Sequence, residues 1–320
     1  MTRREFITLL GGAAVTWPLA ARAQEPGRIY RLGGLTNIPR TAPHFVALFD
    51  ELRRAGFVEG RNLVVAGWTF RAEQFPEMAA ELVKAKVDVI VCAGNVAIRT
   101  TQKATTTIPI MAITDDMVGS GLVHSLARPD GNTTGVSILA SELDVKRLEI
   151  LHEFVPQARR IAVLADPTTI STRAQLASAA RDLGVDLVPF EAQSLDEIGR
   201  ALDAVAGAKV EAVNVLASPI LFANRRIIID RAAALRLPAI YQWPEIAEEG
   251  GLFAYGPRIV QIFRQTFTRQ LIKVLQGAKP IDLPVEQPTT FELVINLKTA
   301  RAIGLSVPPT FLNRADEVIE

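Results

Sequence analysis

From Arg28 onward the chain alternates short β-branched runs, each closed by Gly, Asn, Asp or Ser, with amphipathic stretches of about a dozen residues. That alternation is the pattern of βα units wound around parallel sheets, and it restricts the chain to the α/β class. The first series predicts strands over 29–35, 63–68, 87–93 and 108–114, with helices over 42–55, 75–84 and 96–104 between them. In the first of these helices Phe45, Leu48, Phe49 and Leu52 fall on one face at helical spacing. A second series predicts strands over 160–165, 186–190, 212–216 and 239–243, separated by helices over 173–183, 195–205 and 224–235.

The two series echo each other in order. Arg159–Leu164 answers Arg28–Gly33, and Leu183-Gly184-Val185 answers Ala55-Gly56-Phe57 at an offset of 128. Lys209-Val210-Glu211 answers Lys86-Val87-Asp88 at 123, and Leu237-Pro238-Ala239 answers Ile108-Pro109-Ile110 at 129. No single match is specific, since any doubly wound sheet yields such echoes. Four in register predict two Rossmann-like lobes. The stretch 132–137 is expected to be a crossing strand or hinge between the series, and 252–257 a second crossing. After Pro257 a helix over 259–276 closes at Gly277, a strand pair over 283–287 and 291–295 follows, and a short helix over 297–303 ends at Gly304. The expected division is 28–138 plus about 257–290 for lobe 1, and 139–256 plus about 291–320 for lobe 2. Several crossings in one chain are what a hinge-bending cleft requires.

Composition narrows the function classes. Lys and Arg number 35 against 34 Asp and Glu, so no charge excess announces a nucleic-acid partner. The single cysteine, Cys92, forbids an internal disulfide and reads as a small buried apolar residue. His44, His124 and His152 stand too far apart to suggest a metal pair, and no cofactor is expected. No dinucleotide fingerprint, P-loop or nucleophile elbow occurs; Gly119-Ser120-Gly121 lacks the third glycine.

The N-terminus has a basic start at Arg3-Arg4, a charge-free apolar run from Ile7 to Ala21, and the small-x-small site Ala21-Arg22-Ala23. This predicts an export signal over 1–23, cleaved after about Ala23, and hence a periplasmic protein. The paired arginines resemble a twin-arginine signal, although basic starts also serve the general route. The apolar run is shorter than the roughly 20 residues a membrane span needs. Cleavage removes three arginines and one glutamate, which takes the formal charge from +1 to −1.

In open parallel sheets, ligands sit beyond the carboxyl ends of the strands. In the first lobe those positions are Leu35-Thr36-Asn37, Gly94-Asn95 and Thr114-Asp115-Asp116; in the second they are Asp166-Pro167-Thr168, Ala217-Ser218-Pro219 and Tyr241-Gln242-Trp243. Both sets lack Lys and Arg, so a cleft of hydroxyls, amides and a few carboxylates is expected, suited to a small zwitterion whose ammonium faces Asp115, Asp116 or Asp166. Ser137, Trp68 and Tyr255 lie on the same rims, and the aromatic residues there either stack on a ring or pack the hinge. Asn95, Asp115 and Ser218 equally suit helix N-caps. Two adjacent carboxylates at 115 and 116 exceed what one cap explains.

Several stretches carry a family resemblance. Phe57–Asn62, Val87–Val91, Leu122–Pro129, Gly131–Gly135, Tyr255–Pro257, Leu283–Pro288, Phe291–Ala300 and Arg314–Ile319 resemble the substrate-binding proteins of a bacterial ABC-transporter family with the type I periplasmic binding protein fold. The resemblance spans the chain after the export signal. It implies two Rossmann-like parallel-sheet lobes joined by a multi-crossing hinge, a monomer that captures a small-molecule ligand, and delivery to an ABC permease in the inner membrane. Similar members include binders of aromatic amino acids, which suggests an amino-acid-like or aromatic carboxylate ligand. The family often has Gly-Asp-Pro-Val after the fourth strand; this chain has Asp115-Asp116-Met117-Val118. Where the family is usually Gly-rich after a Trp, this chain has Trp68-Thr69-Phe70-Arg71. Two other functions fit the same scaffold: a ligand-sensing module for a membrane receptor, and a periplasmic α/β enzyme using Asp115 or Asp116 as base.

Overall fold

The computed structural model describes residues 27–167 and 173–320. The expected export signal over 1–23 and the expected site position Thr168 lie outside the described residues.

The first sheet has five parallel strands, β1 (Tyr30–Leu35), β2 (Leu63–Ala66), β3 (Val89–Ala93), β4 (Ile110–Thr114) and β5 (Thr133–Ser137), in the order β2-β1-β3-β4-β5. Helices α1 (Pro43–Arg54), α2 (Phe75–Lys84) and α3 (Asn95–Ala104) connect them. Strands β3, β4 and β5 are buried at every position. Helices therefore cover both faces, which is why these strands read as unbroken apolar runs rather than alternating ones. Helix α4 (Ala140–Phe154) leads into the second sheet.

That sheet contains β6 (Arg160–Ala165), β7 (Asp186–Glu191), β8 (Ala212–Val215), β9 (Ala239–Tyr241), β10 (Phe253–Gly256), β11 (Glu292–Asn296) and β12 (Glu317–Ile319). Its order is β12-β11-β10-β9-β8-β6-β7, with only the β10–β11 pair antiparallel. Helices α5 (Arg173–Leu183), α6 (Leu195–Gly207), α7 (Pro219–Ala223), α8 (Arg225–Ala234) and α9 (Pro244–Glu248) follow β6 to β9.

Without β11 and β12, the order β7-β6-β8-β9-β10 repeats the first sheet's order strand for strand. The repeat reaches individual hydrogen bonds. The Asp88 carboxylate accepts the Arg31 N–H at 2.6 Å, and the Glu211 carboxylate accepts the Arg160 N–H at 3.0 Å. The echoed lysines Lys86 and Lys209 both hold left-handed backbone, at φ 50° and 52°.

The stretches 132–137 and 252–257 are strands of the sheets, β5 and β10, and the chain crosses just after each. At the first crossing Leu139 is left-handed at φ 57°. The expected helix over 224–235 forms as α8, and a separate short helix, α7, precedes it across Asn224. The expected strand pair over 283–287 and 291–295 does not form. Pro284 and Pro288 deny 283–287 a ladder, leaving a bridge between Glu286 and Val136, while β11 pairs with β10.

After β10 come the consecutive helical stretches Ile259–Gln261, the π-helical Ile262–Phe267 and Thr268–Leu275, together α10. Helix α10 packs on α1 of the first lobe. Glu286 then joins the end of β5 before the chain returns to the second sheet through β11.

Candidate functional site

The carboxyl ends of both sheets face each other across a cleft whose core is a chain of rings. Trp68 and Phe45 pack edge to face with centroids 4.9 Å apart, Phe45 meets Phe263 at 5.3 Å, and Phe263 meets His44 at 4.8 Å. His44 then meets Phe222 of the second lobe at 5.6 Å, and Phe222 meets Trp243 at 4.6 Å. Apolar packing thus runs continuously from one lobe into the other.

Between the lobes lies a cavity of about 50 Å³, against the ~10–15 Å³ a single water needs. Its walls come from the segments at the carboxyl ends of β1, β3, β4, β5, β8 and β9, where open parallel sheets place their ligands. The polar side chains in the wall are His44, Thr114, Asp115 and Ser218; no Lys or Arg is among them. The apolar wall includes Ile38, Ile113, Ile138, Phe222, Trp243 and Phe263. The expected lining of mainly hydroxyls and amides is therefore corrected to an apolar one with a few polar groups. Ile38, Ile113 and Ile138 stand at or just past the carboxyl ends of β1, β4 and β5, and α10 inserts Ile259 and Phe263 from a segment remote in sequence.

Of the residues singled out from sequence, Thr114, Asp115 and Ser218 line this cavity. The Thr114 hydroxyl donates to Asn95 Oδ1 at 2.6 Å, and Asn95 Nδ2 donates to Ser120 at 3.0 Å, so Asn95 braces the wall from behind. Ser218 caps α7 by accepting the Ile220 and Leu221 N–H groups, and donates to buried Asp166 at 2.9 Å. Ser137 is buried; its hydroxyl donates to the Asp115 carbonyl at 2.9 Å and fixes the loop that presents Asp115. Asp116 turns away and accepts the Gly119 N–H at 2.8 Å. Thr36 is buried, with its hydroxyl accepting the Ile38 N–H, and Asn37 flanks Ile38 without lining the cavity.

The aromatic residues are distributed differently from the sequence expectation. Trp68 is core: it lies flat on β1, where a Cβ on Gly34 would be 2.4 Å from its ring. Tyr241 is fully buried inside the second lobe, where desolvation raises its phenol above the ordinary value. Gln242 is buried beside it, outside the cavity wall, and half-buried Tyr255 packs on the far side of the second sheet. Tyr241 is the last residue of β9, whereas Trp243 lies beyond the strand at the N-cap of α9, and it is Trp243 that reaches the cleft.

Sequence reasoning missed His44, Phe222 and Phe263. Their only signals were positions at the start of helices that follow strand ends. Burial, with Arg225 nearby, lowers the His44 imidazole to about 3, so it is neutral at neutral pH. His44 Nδ1 and Trp243 Nε1 are buried without a hydrogen-bond partner among the described residues.

Beneath the cleft, Asp144 and Arg147 form a buried ion pair on α4. Arg147 also donates to the Tyr255 carbonyl at 3.1 Å, and Asn214 Nδ2 donates to the Asp144 carbonyl at 3.3 Å. Burial pushes the Asp144 carboxyl up to about 6, against the lowering effect of Arg147 and with a further push from Asp115. Among the described residues no group of His, Cys, Asp and Glu could hold a metal, and no helix is long and apolar enough to cross a membrane. Buried Cys92 hydrogen bonds Thr101, and desolvation pushes its thiol up to about 12.

Comparison with known proteins agrees with this architecture. The chain is 26% identical over 232 residues to the tyrosine-binding protein of Clostridioides difficile strain R20291, a match covering 71% of this chain and 66% of that one, a little under two thirds of its length. A conserved domain protein from Vibrio cholerae has a TM-score of 0.81 at 26% identity, over 91% of this chain and 99% of that one. The ABC domain from Streptococcus pneumonia, solved in complex with L-Trp, has a TM-score of 0.78 at 24% identity, over 91% of this chain and all of that one. The shared architecture is the two-lobed α/β type I periplasmic binding protein fold. The family model for ABC transporter substrate binding proteins matches residues 47–319, and the chain belongs to that family.

Proposed function

We propose that this protein captures a small amino-acid-like or aromatic carboxylate ligand between its lobes, in the periplasm, and delivers it to an ABC permease for import. The observation that carries the reading is the interlobe cavity itself, walled by Phe222, Trp243, Phe263 and His44 and carrying Asp115 at one side. Rings provide the large apolar contact, and the carboxylate suits the ammonium of an amino acid. The relatives' tyrosine and L-Trp point to the same class.

A cavity of about 50 Å³ is smaller than such a ligand needs. Capture therefore requires the lobes to part and reclose, with the crossings after β5, after β10 and before β11 as hinge. In this reading residues 28–138 with about 257–290 move as one lobe and 139–256 with about 291–320 as the other, in a monomer exported by cleavage after about Ala23. Thr114, Asp115 and Ser218 touch ligand; Asn95, Ser137 and Asp166 hold them in place.

Titrating the purified protein with aromatic amino acids and aromatic acids, by calorimetry and tryptophan fluorescence, tests the reading. Micromolar or tighter binding of at least one member is expected. Absence of binding across the panel would overturn it.

A further inference from the structure

Two buried polar atoms in the cavity wall have no partner among the described residues: Nδ1 of His44, from the first lobe, and Nε1 of Trp243, from the second. Their residues are 2% and 5% exposed, so solvent does not satisfy them either. Buried donors and acceptors left unpaired are costly, and native sites retain them where a ligand completes the bond. Both residues flank the same ring, Phe222, at 5.6 and 4.6 Å.

We propose that His44 and Trp243 form a neutral polar subsite, at the aromatic end of the cleft, that reads a hydroxyl group on the ligand's ring. This deepens the proposed function and rests on the cleft being the ligand site. Trp243 Nε1 can only donate, while a neutral imidazole nitrogen without a proton accepts. A ring hydroxyl answers both at once, accepting from Trp243 and donating to His44.

Charge on the surrounding elements favours a neutral group. Arg225 is the cation near His44, but its guanidinium stacks on Phe222 and donates to both Glu249 oxygens at 2.7 Å and to the Phe222 carbonyl at 3.0 Å. It therefore presents no uncompensated charge to a carboxylate. His44 itself stays uncharged because burial opposes its protonation. The carboxylate of the wall, Asp115, follows β4, whereas His44 follows β1, two strands away in the order β1-β3-β4. At about 4.8 Å per strand that separation is on the order of 10 Å, comparable with the length of an aromatic amino acid. The ammonium and the ring substituent are thus read at opposite ends.

The experiment measures affinities of two matched pairs, L-tyrosine with L-phenylalanine and 4-hydroxyphenylacetate with phenylacetate, for the wild-type protein, His44→Leu and Trp243→Phe. The wild type should prefer the hydroxylated member of a pair by about tenfold or more. Each variant should shrink that ratio, weakening the hydroxylated member of a pair more than the unhydroxylated one. Trp243→Phe keeps a ring against Phe222 and remains informative if His44→Leu does not fold. Equal wild-type affinity within each pair, or a ratio unchanged in both variants, overturns the subsite and leaves the cleft reading intact. If no member of either pair binds, the ring-ligand reading and the subsite fall together.

Discussion

Gly94 of the first lobe abuts Pro219 of the second: a Cβ on Gly94 would lie 3.0 Å from Pro219 Cγ. Gly94 also holds φ 86° and ψ 153°, a region essentially reserved for glycine. One residue therefore serves two functions, turning the chain from β3 into α3 and letting the lobes meet. Gly94→Ala should cost roughly 1–3 kcal/mol of stability from backbone strain, and weaken ligand affinity further because the methyl group wedges the cleft open. Adding Pro219→Ala should restore much of the affinity but not the melting temperature. Calorimetry and thermal unfolding separate the two effects.

Arg147 is fully buried and compensates Asp144 beneath the cleft. Removing one charge of such a pair leaves the other uncompensated, so Arg147→Met should destabilise by roughly 3–5 kcal/mol. Asp144→Leu together with Arg147→Met should cost less than Arg147→Met alone. Chemical denaturation of the three proteins would show this order.

Acid stability should carry the signature of His44. Its native value of about 3 lies below the 6.5 of an ordinary imidazole, so the unfolded chain binds the extra proton. The stability it contributes is present above about pH 6.5 and is lost progressively as pH falls toward 3. Between pH 7 and 5 the loss is about 2 kcal/mol. Asp144 acts in the opposite direction. Its carboxyl, raised to about 6, binds a proton more readily in the native state, so its contribution falls as pH rises from about 4 to 6. Denaturation free energies at pH 5 and 7 should show a steeper loss for wild type than for His44→Phe, and a steeper loss still for Asp144→Asn.

The two adjacent carboxylates should separate in function. Asp115 lines the cavity, whereas Asp116 is engaged with the Gly119 N–H. Asp115→Asn should weaken an aromatic amino acid by about 10- to 100-fold while leaving its deaminated analogue nearly unchanged. Asp116→Asn should alter either affinity by less than about threefold. Parallel titrations with L-tyrosine and 3-(4-hydroxyphenyl)propanoate decide between these outcomes.

The alternation of β-branched runs with amphipathic stretches was enough to place the strands from β1 to β9, apart from the crossing segment β5, within a few residues, because central parallel strands buried on both faces leave an apolar signature. The echoes between Lys86 and Lys209, and between Gly56 and Gly184, reported the duplicated topology because each pair must adopt left-handed backbone at the same corner of its lobe. The strand ends then located the cleft, and with it Thr114, Asp115 and Ser218. What stayed hidden depended on contacts remote in sequence. Phe263 reaches the wall because α10 returns to pack on α1, and its π-helical turn, with the Thr268 hydroxyl donating to the Phe263 carbonyl at 2.5 Å, has no periodicity to betray it.

Sequence alone therefore determined the class, the repeat and the rim on which a ligand sits, since these follow from local periodicity and from which residues end each strand. Tertiary structure decided the chemistry of the site. Trp68 and Tyr241 became core while His44, Phe222 and Trp243 became wall, because which face of an element meets water, core or cleft is fixed only when the two lobes close on each other.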